Sequence, residues 1–255
     1  MFIPIPGLLV HCTIDGPADA PAVMMLHSLG TTLHVWDPQV AELSRRWRVL
    51  RPDLRGHGLT EVTPGPYDVQ TLARDALALA AALGITSMHV AGLSIGGRIA
   101  MEIAALAPSV VTSLALCDTA LAFLPPALWR QRADAVRTAG MESIADAVMG
   151  RWVRDQTSPS SRGLRQMLLR TAPEGYAGSA QALQNATPDS VAGRIGCPAL
   201  VVVGDADQST PPSAAEAIKA AIPDSTLAII AGGAHIPTFE FAAQLTALLE
   251  GWLAQ

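Results

Sequence analysis

The chain has 255 residues, half of them hydrophobic and 15% charged, with a formal net charge of −5. That length suits one large domain, or a core carrying an insertion, with ample apolar residues for a sheet covered on both faces. So few charges exclude a disordered or nucleic-acid-wrapping chain, and no run of about 18 apolar residues is present to span a membrane.

In chain order, the first segment reads as a hairpin from Met1 to Ile14, turning at Pro6-Gly7. Short apolar runs near 22–27, 47–52, 87–91, 112–117, 198–204 and 225–230 predict buried strands. Helical patterns fill roughly 36–45, 70–83, 95–107, 213–221 and 239–253. Such alternation predicts an α/β protein whose mostly parallel sheet is covered by helices on both faces. The interval 120–187 breaks the rhythm: it is helical, lacks a strand-like run and is punctuated by Pro125-Pro126, Ser158-Pro159 and Pro173. The expected organisation is a core of residues 1–119 and 188–255 with an inserted helical cap at 120–187.

The sharpest motif is Gly92-Leu93-Ser94-Ile95-Gly96, a G-x-S-x-G sequence. The apolar segment Met88-His89-Val90-Ala91 precedes it, and a helical pattern stopped by Pro108 follows. Strand, serine at a sharp turn, then helix describes a nucleophile elbow. Side chains two residues either side of the serine would collide with the neighbouring strand and helix, which explains the glycines.

A serine hydroxyl is a poor nucleophile and needs a base, itself oriented by an acid. In this architecture the chain order is serine, acid, histidine. His235 follows the apolar run Leu227-Ala228-Ile229-Ile230 and is the candidate base. His11 and His89 lie inside strand patterns, His34 sits at a helix start, and His57 falls between two glycines in a structural turn. Three carboxylates end strands where an acid is needed: Asp205 and Asp207 after Val201-Val202-Val203-Gly204, and Asp118 after Leu114-Ala115-Leu116-Cys117. A tetrahedral intermediate also needs backbone donors. The N–H of Ile95 follows the serine at a helix N-terminus, where the helix dipole favours negative charge. The loop His27-Ser28-Leu29-Gly30 offers the N–H of Leu29 as the second donor.

These segments, with Asp53-Leu54-Arg55-Gly56-His57-Gly58, Gly204-Asp205-Ala206-Asp207-Gln208-Ser209-Thr210-Pro211 and Gly233-Ala234-His235, resemble the α/β-hydrolase superfamily along nearly the whole chain. The resemblance selects Asp207 as the acid through the G-x-x-D-x-x-T-P pattern, giving Ser94, Asp207 and His235 as the catalytic set. Trp129-Arg130-Gln131-Arg132, Gly150-Arg151-Trp152 and Thr171-Ala172-Pro173-Glu174-Gly175-Tyr176-Ala177 look like the cap of 3-oxoadipate enol-lactonases, which hydrolyse a small lactone carrying a free carboxylate in aromatic catabolism. The chain departs from that pattern at Ile95, where the family usually has Met, in the apolar segment Ile236–Glu240, and around Asn185–Asp189.

Charge is unevenly spread. Residues 120–187 hold eight arginines against five acidic residues, so the rest of the chain carries all of the net negative charge. A basic lid over an acidic core favours an anionic substrate. Arg132, one helical turn beyond Trp129, matches the enol-lactonase pattern and is the expected carboxylate anchor, with Trp129 as packing or pocket wall and Trp152 as packing. The expectation is a cytoplasmic serine hydrolase of small esters or lactones, with no cofactor, metal, nucleic-acid or membrane partner. Cys12, Cys117 and Cys197 lack metal-ligand spacing and read as reduced, packed thiols, and no signal-peptide pattern opens the chain. The alternatives are a general carboxylesterase of undefined substrate, a non-hydrolytic enzyme on the same scaffold, or a ligand receptor that turns over slowly.

Overall fold

The computed structural model describes residues 1–191 and 193–255. Eight strands form one sheet: β1 (Phe2–Ile5), β2 (Leu8–Asp15), β3 (Ala22–Leu26), β4 (Arg48–Pro52), β5 (Met88–Leu93), β6 (Val111–Cys117), β7 (Ala199–Gly204) and β8 (Ser225–Ile230). Their order is β1-β2-β4-β3-β5-β6-β7-β8. β2 pairs antiparallel with both β1 and β4, whereas every pairing from β4 to β8 is parallel. The parallel strands β3 and β7 are buried along their whole length, as strands covered on both faces must be.

The core helices are α1 (Asp37–Leu43), α2 (Val69–Ala82) and α3 (Ile95–Leu106). Between β6 and β7 come α4 (Pro126–Ala139), α5 (Glu142–Trp152), α6 (Pro159–Arg170) and α7 (Pro173–Gln184). The last helices are α8 (Pro212–Ala221), α9 (Pro237–Glu240) and α10 (Ala242–Leu253). Local chemistry sets many of their starts. Asp68 caps α2 by accepting from the Thr71 amide at 2.6 Å, and Ser158 caps α6 by accepting from Ser161. Proline opens α4, α6, α7 and α8, where its missing N–H would have had no helical partner.

Two helical patterns differ from expectation. The segment read as 36–45 begins as a 3₁₀ turn over Leu33–Trp36 and becomes α-helical only from Asp37. The segment read as 239–253 starts at Pro237 and breaks at Phe241, whose backbone (φ −123°, ψ 35°) is not helical.

Gly92 of β5 pairs with Leu26 of β3 on one side and Leu116 of β6 on the other. Strand order reverses at β3 and β5, so the loops leaving them frame a crevice at the carboxyl end of the sheet. Ser94 and the His27–Gly30 loop occupy that crevice, with α4–α7 above it. Arg98, in the first turns of α3, bonds both flanks of the α4–α7 segment: its Nε donates to the Leu121 carbonyl at 3.2 Å and its Nη2 to the Thr187 carbonyl at 3.3 Å. Its Nη1 pairs with Glu102 at 3.1 Å, both side chains being 1% exposed. Among the described residues, no helix is long and apolar enough to cross a membrane.

Candidate active site

Ser94 sits in a turn that ordinary residues avoid, with φ 57° and ψ −118°. The flanking glycines are sterically required. A Cβ on Gly92 would press on the Gly96 backbone, and one on Gly96 would strike the Leu26 carbonyl. The strained turn raises the hydroxyl towards His235, whose Nε2 lies 3.0 Å from Ser94 Oγ.

On the other face of the imidazole, Nδ1 lies 2.8 Å from Asp207 Oδ2. A carboxylate there accepts only from a protonated Nδ1, so Nε2 is left as an acceptor facing the Ser94 hydroxyl. Asp207 is itself fixed by four donated hydrogen bonds. Its Oδ1 accepts from the amides of Ser209 (2.7 Å) and Thr210 (3.1 Å), and its Oδ2 accepts from Thr210 Oγ1 (2.6 Å) as well as from His235. Burial opposes its charge, but His235 and these donors hold the carboxyl below the usual carboxylate range.

The other two carboxylates have different partners. Asp205 is exposed and accepts from the Gly232 amide at 2.7 Å, bracing the turn before His235. Asp118 is fully buried and accepts from the Gly204 amide at 2.8 Å, with its carboxyl against Asp207 rather than His235.

Two histidines shape the loop that carries Leu29. His27 Nε2 accepts from the Leu54 amide at 2.9 Å while Nδ1 donates to the Ser28 carbonyl at 2.8 Å. His57 Nε2 accepts from the Gly30 amide at 3.1 Å while Nδ1 donates to the Arg55 carbonyl. Each ring is thus the neutral Nδ1–H tautomer, and the rings face each other with centroids 5.2 Å apart. Burial, with His27 alongside, pushes the His57 pKa down to about 3. Sequence reasoning read His57 only as part of a turn; it lies in one, between Gly56 (φ 73°) and Gly58 (φ 53°), but its ring also holds the loop of Leu29. The available signal was an aromatic base squeezed between two glycines, a position with no demand for side-chain bulk.

A small, partly open pocket is lined by Ser94, His235 and Leu29. Its walls come from the helices between β6 and β7: Trp129 and Arg132 of α4, Val148, Arg151 and Trp152 of α5, and Tyr176 of α7. Trp129 both packs and faces the cavity. Its indole N–H donates to the Phe123 carbonyl at 2.9 Å, and the Arg132 guanidinium carbon lies 5.0 Å from its ring centre. Trp152, expected only to pack, is also part of the wall. Most arginines of the segment do decorate surfaces: Arg137 grips Glu174 and Arg165 meets Asp146. Among the described residues, neither Arg132 nor Arg151 is paired with a carboxylate. The end of α5 is joined to the loop of His235, because the amides of His235 (3.4 Å) and Ile236 (2.9 Å) donate to the carbonyls of Arg151 and Trp152.

A sheet of this topology with a strained serine after β5 is matched by a sequence family. The model of the α/β-hydrolase fold aligns with residues 21–242. The chain belongs to the α/β-hydrolase family. Two curated relatives from Acinetobacter baylyi are each 31% identical to it. 3-Oxoadipate enol-lactonase 1 aligns over 80% of this chain and 78% of its own length. 3-Oxoadipate enol-lactonase 2 aligns over 88% and 85%. Among solved structures, the enol-lactonase from Burkholderia xenovorans LB400 superposes with a TM-score of 0.97 at 34% identity, covering all of both chains. A thermophilic esterase from Thermogutta terrifontis, with malate bound, superposes with a TM-score of 0.92 at 29% identity, covering 100% of this chain and 97% of that one. This hydrolase therefore resembles both lactone- and ester-cleaving proteins.

Proposed function

We propose that the chain is a serine hydrolase that opens a small lactone or ester bearing an anionic group, in the manner of a 3-oxoadipate enol-lactonase. The observation that carries this reading is the continuous hydrogen-bonded chain Ser94–His235–Asp207 in a pocket with two arginines in its wall. Ser94 Oγ attacks the acyl carbonyl as His235 Nε2 takes its proton, and Asp207 stabilises the imidazolium that forms. The amides of Leu29 and Ile95 receive the oxyanion. His235 then returns the proton to the leaving oxygen, which in a lactone stays tethered to the acyl group. A water activated by the same imidazole releases Ser94.

In this reading residues 120–187 form a cap over a core of 1–119 and 188–255, and the cap selects the substrate. Arg132 meets the substrate carboxylate and Trp129 forms an apolar wall beside it; Arg151 adds a second positive charge. The location we infer is the cytoplasm, where Cys12, Cys117 and Cys197 stay reduced. The likeness to esterases favours a second reading, a carboxylesterase of neutral esters. A panel of carboxylated enol lactones, neutral lactones and p-nitrophenyl esters, ranked by kcat/KM, separates the two. Preference for neutral esters would remove the enol-lactonase reading and leave the esterase.

A further inference from the structure

Asp118 is a buried carboxyl beside the proposed triad to which the reaction assigns no role. It follows β6, its N–H donates to the Val202 carbonyl at 2.8 Å, and its backbone takes the left-handed region at φ 43°. Because β6 and β7 are neighbours, this turn lays its carboxyl beside the β7 loop that carries Asp207, within hydrogen-bonding reach of the Asp207 carboxyl.

Counting donors decides which of the two is ionised. Asp207 receives four hydrogen bonds, one of them from His235. Asp118 receives one, from the Gly204 amide on Oδ1, and its buried Oδ2 meets no N–H or O–H donor among the described residues. Two touching carboxylates in a dry interior cannot both hold a charge. Asp207 has the donors that a carboxylate needs, while the bare oxygen of Asp118 is satisfied only by carrying a proton.

We propose that Asp118 is a positioning residue, a neutral carboxylic acid that donates its Oδ2 proton to the Asp207 carboxylate and so fixes the acid that orients His235. Burial and the charge of Asp207 both act in that direction, raising the Asp118 pKa well above its ordinary value. The titratable groups in play are Asp207 and His235 across the sheet end and Cys117 on its own strand, whose thiol burial pushes upward. The inference rests on the triad reading for its effect on catalysis, but not for the protonation state.

Asp118→Asn is the isostere of a protonated acid: its carbonyl accepts from Gly204 and its NH₂ donates to Asp207. It is expected to keep activity near wild type and to leave the acidic limb of the kcat/KM–pH profile in place. Asp118→Ala, which lacks the donor, is expected to lose roughly tenfold or more, the scale of a hydrogen bond to a charged group. Were Asp118 ionised, Asp118→Asn would remove a negative charge near His235, and the acidic limb would fall by about one unit or more. Infrared spectroscopy of the intact enzyme supplies a readout independent of turnover. A protonated-carboxyl stretch at neutral pH, present in wild type and absent in Asp118→Asn, is the expected result. No such band, a fallen acidic limb, or an Asp118→Asn as damaged as Asp118→Ala would each overturn the proposal. The band holds or fails whether or not the chain hydrolyses esters, so failure of the triad reading is seen separately, as undiminished activity of Ser94→Ala.

Discussion

His57 accepts the Gly30 amide through Nε2 at 3.1 Å, so the loop carrying Leu29 rests on an imidazole that must stay uncharged. Its pKa is about 3 in the folded protein and 6.5 as a free side chain. Below pH 6.5 the unfolded chain therefore binds a proton that the folded one refuses, and stability falls as pH drops from 6.5 towards 3. His57→Gln, whose side-chain oxygen also accepts from an N–H, is expected to flatten that part of the stability curve. Urea unfolding across this pH window measures it; an unchanged slope would place the acid sensitivity elsewhere.

Ser94→Ala is expected to fold normally, because alanine tolerates the turn no worse than serine, and to lose several orders of magnitude in kcat. Activity within tenfold of wild type would remove Ser94 from the mechanism.

Asp207→Asn is expected to cut kcat by about three to four orders of magnitude, because an amide beside Nδ1 favours the wrong tautomer of His235. Asp205→Asn, at an exposed carboxyl that braces Gly232, is expected to change kcat only a few-fold. Steady-state kinetics on one substrate ranks the two, and the reverse order would reassign the acid.

Arg132→Ala is expected to lower kcat/KM for a carboxylated lactone by about 1.5–3 kcal/mol, the range for hydrogen bonds to charged groups. The neutral methyl ester of the same lactone loses little, since it never made that bond. Comparing the two substrates within one variant cancels general damage to the wall, and equal losses would make Arg132 structural.

Arg98→Met is expected to destabilise the fold by about 3–5 kcal/mol, because it removes one partner of a buried ion pair. The double variant Arg98→Met with Glu102→Leu recovers much of this, as replacing a buried pair by apolar residues often does. Denaturant unfolding of the two variants gives the comparison; no recovery in the double variant would show that Arg98 acts mainly through the Leu121 and Thr187 carbonyls.

What the sequence determined by itself was whatever is local. Strand and helix periods set the order of elements, and the elbow was legible because Gly92, Ser94 and Gly96 meet their steric demands within five residues of chain. Contacts between distant segments were decided only by tertiary packing. Ser94 and His235 lie 141 residues apart, and Asp118, Asp205 and Asp207 all end strands, so local periodicity does not say which carboxyl meets the imidazole, and only the resemblance of the Gly204–Pro211 segment favours Asp207. Packing β7 between β6 and β8 does: it turns Asp207 to His235, Asp205 to Gly232 and Asp118 back against Asp207. Trp129 and Arg132 were legible as candidate wall residues through the cap resemblance, but the rest of the wall was hidden for the same reason. Gly150-Arg151-Trp152 reads as a cap motif with Trp152 as packing, and Trp152 and Arg151 join the wall only when α5 is laid over the sheet, where its last carbonyls accept the amides of His235 and Ile236.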